Sequence, residues 1–279
     1  MTEIVTRFAP SPSGYLHIGH AYSALFAERA ARQANGRFLL RIEDIDIQRC
    51  RPEFEEAIFE DLDWLGLSWE EPVRRQSDHF DEFSDALTRL VDLGVIYPCF
   101  CSRKQIRTEI AAADRAPHGP EGPHYPGTCR QIGISERTEK LNEGIEHAYR
   151  LDTAKALDMA GQMVWSDRQA GQVEADPGLF GDVVLARKDT PSSYHLACTW
   201  DDHVQGITFV TRGEDLFPST HVHLLLQRLL GLQTPDYHHH KLLTNESGVR
   251  FAKRDKSLTI RSLREAGNTP EQVRQLAGF

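Results

Sequence analysis

The first hundred residues alternate between short apolar runs and longer segments with helical periodicity. "VTRFAP" is typical of a buried strand ended by proline, and "RFLLRIEDID" of a strand whose apolar body ends in charges. Between them, apolar positions three and four apart predict a helix from about His17 to Asn35. Amphipathic helices are also predicted in "EFEEAIFEDLDWLGL" and "HFDEFSDALTRLVDLG". This order of strands and helices indicates an α/β unit with parallel strands.

The alternation stops at about Tyr97 and resumes after Pro177. The intervening segment contains the proline- and glycine-rich "DRAPHGPEGPHYPGTC" and isolated strand-like pieces, which indicates an insertion. We therefore predict a parallel-sheet domain whose first half is 1–96 and whose second half is 179–240, with an inserted α+β module at 97–178. Residues 241–279 are predicted to form a loop and a C-terminal helical segment, in which "TPEQVRQLAG" has Thr269 as N-cap.

Composition narrows the class of protein only slightly. The chain has 279 residues, 40% of them hydrophobic and 26% charged, as is ordinary for a globular protein. It has no apolar run long enough to span a membrane and no secretory pattern at its N-terminus. A net charge of −9 argues against a protein that coats nucleic acid, although a local basic patch stays possible. The odd number of cysteines, 5, favours a reducing cytoplasm.

The loop after the first strand, "APSPSGYLHIGH", carries the first candidate chemistry. The first βα connection of an open parallel sheet commonly binds phosphate, because helix N–H groups point outward there. Prolines stiffen this loop, while Gly14 and Gly19 allow close approach to the backbone. His17 and His20 stand at the start of the helix, where imidazoles could donate hydrogen bonds to phosphate oxygens. The alternative is that His17 caps the helix and His20 packs.

The same loop resembles the HIGH signature of class I aminoacyl-tRNA synthetases. With "RIEDID", the string "RFAPSPSGYLHIGHAYSAL" is similar to the glutamyl branch of that class. The resemblance implies a Rossmann-type (HUP-like) catalytic domain with an inserted acceptor-type module. It also implies ATP, with Mg²⁺, bound near His17, Gly19 and His20.

A later stretch, "SGVRFAKRDKSLTI", resembles the lysine loop of KMSKS type in these enzymes. Lys253 occupies the position of the second lysine, whereas Arg250 and Ala252 replace a lysine and a serine of the glutamyl form. The resemblance implies that Lys253 acts with His17 and His20 to stabilise phosphate charge as pyrophosphate leaves.

Charged residues near the strand ends fit a glutamate substrate. Arg7 lies at the end of the first strand and Glu43 at the end of the second, where α/β ligand sites form. The resemblance implies that Arg7 grips the side-chain carboxylate and Glu43 the ammonium group. It adds Tyr194 and Arg212 as substrate contacts, and a wall formed by Phe8, Ala9, Pro10 and Ser11. Any one of these charges alone could equally be a surface ion pair.

"PCFCS" and "HYPGTC" bring cysteines into the insertion. C-x-C is a weaker metal signal than C-x-x-C, so buried free thiols are an alternative, and His118 or His124 could complete a Cys₃His set. The resemblance implies another set, found in a small glutamyl-type group. By that resemblance, Cys99, Cys101, Tyr125 and Cys129 of this chain would hold one structural Zn²⁺.

The sequence ends about 25 residues after Lys253, so we expect no anticodon-binding domain. Together with a resemblance that covers nearly the whole chain, this is similar to the glutamyl-Q tRNA(Asp) synthetases, which are catalytic-domain paralogues of glutamyl-tRNA synthetase. The resemblance implies tRNA-independent activation of L-glutamate with ATP. It also implies that glutamate is then transferred to the queuosine base in the anticodon of tRNA(Asp). We expect a monomer with no membrane partner.

Two other functions stay open. One is a truncated glutamyl-tRNA synthetase that charges a tRNA 3′ end, and the other is a non-enzymatic tRNA-binding descendant. The departures at Arg250 and Ala252 keep the latter open, whereas the intact HIGH string, Arg7, Glu43 and Lys253 argue against it. Since the chain is acidic, RNA contacts should be local, although such basic residues are commonly a solvated face. The candidates are Arg74, Arg75, Arg103, Lys104 and Arg107.

Overall fold

The computed structural model describes residues 3–112, 118–243 and 259–279. The first part of the chain forms β1 (Val5–Phe8), α1 (Ile18–Gln33), β2 (Arg37–Ile42), α2 (Pro52–Trp64), β3 (Glu70–Arg75) and α3 (Phe80–Asp92). The middle forms β4 (Ile96–Cys99), α4 (Arg103–Ala112), β5 (His118–Gly119), β6 (Gly122–Pro123), α5 (Ile134–Asn142), β7 (Ala148–Leu151), α6 (Thr153–Ala160), β8 (Val164–Asp167) and β9 (Gly171–Glu174). The last part forms β10 (Val184–Ala186), α7 (Tyr194–Val204), β11 (Phe209–Gly213), α8 (Ser219–Leu230), β12 (Asp236–His240), α9 (Ile260–Glu265) and α10 (Pro270–Leu276).

Parallel strands form the centre of the molecule. β2 pairs in parallel with β1 and β3, and β12 pairs in parallel with β11 and β8, with β9 antiparallel at the edge. The two groups meet beside β1, where the Thr208 amide just before β11 donates to the Val5 carbonyl (3.1 Å). The carboxyl ends of β1, β2, β11 and β12 therefore lie near one another, as in Rossmann-type sheets.

Apolar side chains cover both faces of this sheet. Successive residues of a strand point to opposite faces, so Leu39 joins one core cluster while Phe38 and Leu40 join the other. One cluster includes buried residues of α3, α7 and α8, and the other includes residues of α1, α2, α9 and α10. Parallel sheets are normally buried on both sides in this way. The predicted α/β class is confirmed.

A smaller antiparallel sheet, in the order β10-β7-β4, lies in the middle of the chain. Strand pairing crosses the predicted boundary of the insertion in both directions. β8 and β9 fall within 97–178 but join β12, whereas β10 falls within 179–240 but joins β7. The division into 1–96, 97–178, 179–240 and 241–279 stays a prediction.

The C-terminal helix begins as its sequence indicates. The Thr269 side chain accepts from the Gln272 amide, and Pro270 occupies the first turn of α10. Within the ranges given above, no helix is long and apolar enough to cross a membrane. All five cysteines are free thiols.

Candidate active site

A cavity of about 480 Å³ opens at the carboxyl ends of β1, β2, β11 and β12. It brings together every residue that the sequence assigned to substrate and nucleotide, apart from Lys253. These residues are Arg7, Phe8, Ala9, Pro10, Ser11, His17, Gly19, His20, Glu43, Tyr194 and Arg212. Lys253 lies outside the described residues, as do Arg250 and Ala252.

His17 and His20 form the N-terminal cap of α1. The Nδ1 of His17 accepts from the Gly19 amide, and the Nδ1 of His20 accepts from the His17 amide, both at 3.1 Å. The two rings stack with their centroids 3.8 Å apart. Because each Nδ1 accepts an N–H, the ring proton of the neutral imidazole sits on Nε2, which makes that atom a donor. Capping and lining the cavity are therefore compatible, and the cap fixes the tautomer.

Gly19 leaves room for the His17 ring in this cap. A Cβ at position 19 would lie 3.0 Å from Cε1 of His17, which is too close without a shift of the ring. A Cβ at Gly14, in contrast, would meet nothing within 4 Å. Of the two glycines singled out in the loop, Gly19 is the one that lines the cavity.

Arg7 is buried and already paired. Its Nε and Nη2 donate to Oδ1 and Oδ2 of Asp202 at 2.9 and 3.2 Å, and its Nη1 donates to the Thr211 carbonyl at 3.3 Å. Only 5% of the side chain is exposed. The two guanidinium nitrogens that the resemblance assigned to a substrate carboxylate are therefore bound to Asp202.

Arg41 extends this pair into a network. Its Nη1 donates to Asp202 Oδ1 (2.8 Å) and its Nη2 to Glu43 Oε1 (2.9 Å). Although burial opposes ionisation of Asp202, Arg7 and Arg41 lower its pKa to about 2. For Glu43 burial outweighs the neighbouring Arg41, and its pKa is raised. Glu43 lines the cavity with one oxygen bound to Arg41.

Arg212 is also buried, at 5% exposure, but its partners are of another kind. It donates to Nε2 of His239 (3.1 Å), Nδ1 of His223 (3.2 Å), the Tyr194 hydroxyl (3.3 Å) and the Thr220 hydroxyl (2.6 Å). Among the residues with described positions, no carboxylate forms an ion pair with Arg212. A buried cation without a counter-ion is costly, so an anion entering the cavity is favoured here.

Sequence reasoning missed several residues of this site, including Arg41, Cys198, Asp202 and His239. Arg41 gives a signal, because it stands alone in the apolar strand "FLLRI". Cys198 and Asp202 follow Tyr194 by four and eight residues, which places all three on one face of α7. The Cys198 thiol lies 3.9 Å from Nη2 of Arg7, and burial raises its pKa to about 12.

A second cluster lies beside β4 in the insertion. The ligand atoms of Cys99, Cys101 and Cys129 all lie within 4.8 Å of one another. The Tyr125 hydroxyl is 3.4 Å from the Cys101 sulfur and accepts from the Cys129 amide at 2.9 Å. Burial raises the pKa of Cys101 to about 12. Three thiols and a phenol converging in this way fit a tetrahedral Zn²⁺, which would stabilise their anionic forms.

The alternative histidine ligands are placed differently. Nε2 of His124 lies 2.9 Å from the Leu179 carbonyl, and the cluster of candidate ligand atoms found in the described ranges includes no histidine. The Cys₃Tyr arrangement thus fits better than Cys₃His.

The expected basic patch is only partly available for RNA. Arg74 is 11% exposed and forms ion pairs with Asp201 and Glu82, and Arg75 pairs with Glu55. Arg103, Lys104 and Arg107 are exposed along α4.

Comparison with known proteins places the chain in a family. Residues 3–277 match the description "tRNA synthetases class I (E and Q), catalytic domain". A glutamyl-Q tRNA(Asp) synthetase of Rhodobacter capsulatus is 46% identical over 99% of this chain and 100% of its own. A glutamyl-Q tRNA(Asp) synthetase of Symbiobacterium thermophilum is 42% identical over 96% of this chain and 83% of its own.

A solved structure supports the same family assignment. A glutamate tRNA ligase from Elizabethkingia meningosepticum superposes with a TM-score of 0.78 at 28% identity over 92% of this chain, which spans 53% of that longer protein.

The fold and the matched residues define a class I tRNA synthetase catalytic domain of the glutamyl and glutaminyl type. Identity of 46% over the full length of a relative narrows this class. The chain belongs to the glutamyl-Q tRNA(Asp) synthetase family.

Proposed function

We propose that this protein activates L-glutamate with ATP, without tRNA, and transfers the glutamyl group to queuosine in the anticodon of tRNA(Asp). The names of its relatives at 42–46% identity support this reaction. The site also supports it, because one cavity holds a helix N-terminus, a carboxylate and buried arginines. We further propose that it works in the cytoplasm, where its free thiols would stay reduced.

The proposal rests mainly on the surroundings of Arg212, whose described hydrogen-bond partners are all neutral. Arg212 supplies positive charge at the cavity wall that no described carboxylate neutralises, whereas the Arg7 charge is matched by Asp202. A glutamate side chain brings the missing anion. Glutamine would leave the buried cation uncompensated, which is the physical basis for discrimination between the two amino acids.

The remaining glutamate contacts follow from the cavity wall. Glu43 faces the ammonium group, and the Tyr194 hydroxyl, which accepts from Arg212, orients the side-chain end. Phe8, Ala9, Pro10 and Ser11 form the wall beside β1 and shape the space for the substrate backbone. Arg7 lines the same cavity, and its pairing with Asp202 leaves it a secondary contact for the substrate.

The nucleotide lies at the start of α1 in this proposal. The Nε2–H groups of His17 and His20 donate to phosphate oxygens, with the positive helix end behind them and Gly19 giving backbone access. Mg²⁺ accompanies ATP and offsets phosphate charge. Lys253, whose role rests on its motif alone, meets the leaving pyrophosphate.

Both steps are nucleophilic substitutions without an enzyme nucleophile. The glutamate α-carboxylate attacks the α-phosphorus of ATP and releases pyrophosphate, leaving glutamyl-adenylate. A hydroxyl of the queuosine cyclopentenediol then attacks the activated carbonyl, loses its proton and releases AMP. Positioning and electrostatic stabilisation supply the catalysis.

Glutamate-dependent exchange between ATP and pyrophosphate, measured without tRNA, tests the first step. We expect exchange with glutamate and little with glutamine, followed by charging of tRNA(Asp) only when it contains queuosine. Absence of exchange would overturn the enzymatic proposal and favour a tRNA-binding descendant. Charging that ignores queuosine and is lost when the 3′-terminal adenosine of the tRNA is removed would favour a glutamyl-tRNA synthetase instead.

We also propose that Cys99, Cys101, Tyr125 and Cys129 hold one structural Zn²⁺. The site lies beside β4, so the metal would join the start of the insertion to the turn that carries Cys129. Metal analysis of the purified protein should give one Zn²⁺ per chain, and Cys101→Ser should lose it. Cys50→Ser is the matched control, since Cys50 lies outside the cluster. Equal metal content in both variants would contradict the assignment.

A further inference from the structure

Arg212 is held in an unusual way for a buried arginine. Its Nε, Nη1 and Nη2 all donate, and the acceptors are two imidazoles and two hydroxyls. Arg7, one strand away, is held by the carboxylate of Asp202. Both arginines are fixed by hydrogen bonds, but only Arg7 is fixed by a carboxylate that also neutralises its charge.

His239 fixes the Nε side of Arg212. The two residues are direct neighbours in the parallel register of β11 and β12. An arginine N–H can only donate, so the His239 Nε2 that faces it accepts and carries no proton. The ring proton is therefore on Nδ1, which donates to Asp167 Oδ2 at 2.7 Å. Asp167 is fixed in turn by the amides of Gln169 and Ala170.

His223 fixes the Nη1 side through a longer chain. Its Nδ1 accepts from Arg212, so its proton is on Nε2, 3.3 Å from Nδ1 of His195. His195 then carries its proton on Nε2, which lies 3.3 Å from Glu121 Oε1. Each imidazole accepts on the side of Arg212 and donates on the far side. Glu121 belongs to the turn between β5 and β6, so this chain starts in the insertion.

Burial keeps both imidazoles neutral, as tautomers with a single ring proton require. Burial and, next, the charge of Arg212 lower the pKa of His239 to about 4, against the effect of Asp167. The same two causes hold the pKa of His223 well below its usual range. Both rings are neutral near pH 7.

We propose that His223 and His239 are positioning residues that orient Arg212 while leaving its charge to be neutralised by the substrate. Carboxylates that do not touch Arg212 set their tautomers. Asp167 accepts directly from His239, and Glu121 acts on His223 through His195. A carboxylate in direct contact would orient Arg212 equally well but would neutralise it, as Asp202 does for Arg7. The two histidines thereby determine preference for a carboxylate side chain over an amide. This inference rests on the proposed role of Arg212 in binding glutamate.

The test compares His223→Leu with His223→Asn. Leucine fills the space without an acceptor, whereas the asparagine oxygen can replace Nδ1. We expect His223→Leu to raise the KM for glutamate about tenfold or more, the effect of losing a hydrogen bond to a charged group. The KM for ATP should stay unchanged, and the preference for glutamate over glutamine should fall by a similar factor. His223→Asn should restore most of both values.

His203→Asn serves as the control, because this exposed histidine near the end of α7 lies outside the chain of imidazoles. Glu121→Ala is the second variant, since its exposed side chain can be removed with little risk to folding. It should raise the KM for glutamate about twofold to threefold, the weaker effect of a hydrogen bond in a partly solvated group.

Two results would overturn the inference. In one, His223→Leu and His223→Asn have the same KM for glutamate. In the other, the KM values for glutamate and ATP rise together, which would indicate a general structural defect. Calorimetric glutamate binding without ATP is measured on the same variants. A wild-type protein that binds glutamate but shows no exchange would contradict the proposed reaction, while the binding data would still decide the positioning role.

Discussion

Arg7 and Arg212 occupy similar places in the fold but have different electrostatic surroundings. Each is the penultimate residue of a parallel strand, is 5% exposed, and lines the same cavity. Arg7 shares Asp202 with Arg41 in a buried ion-pair network. Arg212 is surrounded by neutral acceptors. The two arginines are equally buried but have different roles. Arg7 helps to hold the strands together, whereas the charge of Arg212 stays available to a substrate carboxylate.

The largest effect is expected from Asp202→Asn. It leaves the buried cations Arg7 and Arg41 without their shared counter-ion, and losing one partner of a buried ion pair costs about 3–5 kcal/mol. The free energy of unfolding, measured by urea denaturation at pH 7, should fall by that amount. A decrease no larger than that of an exposed pair would show that water already solvates this network.

Arg212→Met should separate binding from stability. The KM for glutamate should rise about 30- to 100-fold, because charge-assisted hydrogen bonds to the substrate are lost. The free energy of unfolding should stay the same or rise, since the cation removed is buried and forms no ion pair with a carboxylate in the described part of the chain.

Arg7→Met is the matched comparison for Arg212→Met. It removes a cation that Asp202 needs, so the free energy of unfolding should fall. If Arg212→Met destabilises as strongly as Arg7→Met, the proposed difference between the two arginines is wrong.

Acid should lower the free energy of unfolding in two separate pH ranges, one for the surroundings of Arg212 and one for those of Arg7. The pKa of His239 is about 4 when folded, below its unfolded value of about 6.5, so stability is lost as pH falls from 6.5 to 4. The pKa of Asp202 is about 2 when folded, below its unfolded value of about 4, so its contribution is lost as pH falls from 4 to 2. Unfolding free energies measured across this range should lose the upper step in His239→Gln and the lower step in Asp202→Asn. Loss of both steps in one variant would indicate a single coupled network.

The smallest effect is expected at an exposed ion pair. Glu70 binds Arg37 through two hydrogen bonds of 2.6 Å, but both side chains are more than 40% exposed. Exposed pairs contribute little because water and salt screen them. Glu70→Gln should leave the urea midpoint unchanged, and this variant is the control for Asp202→Asn. A large loss would mean that geometry matters more than burial in this protein.

The periodic segments were predictable because their local patterns agree with the fold. The helices at α1, α2, α3 and α10 and the strands β1 and β2 appear near the predicted bounds. Strand β3 was not predicted. Glu70–Arg75 lies at the edge of its sheet, is mostly charged, contains Pro72 and lacks the alternation of apolar and polar residues that indicates a strand. Strand pairing across the predicted insertion was also invisible, because β8 and β12 are far apart in sequence.

The sequence, together with the family resemblance that it carries, indicated most of the residues that meet at the cavity. The loop motif indicated His17 and His20, and strand ends indicated Arg7 and Glu43, because the carboxyl ends of parallel strands share one edge of a sheet. Arg212 was implied by the family resemblance. What each arginine does there was decided only by tertiary structure. Arg7 meets Asp202 of α7, and Arg212 meets His239 of β12 and His223 of α8. The charge state of a buried group depends on which distant side chains the fold places against it, and no local pattern encodes that choice.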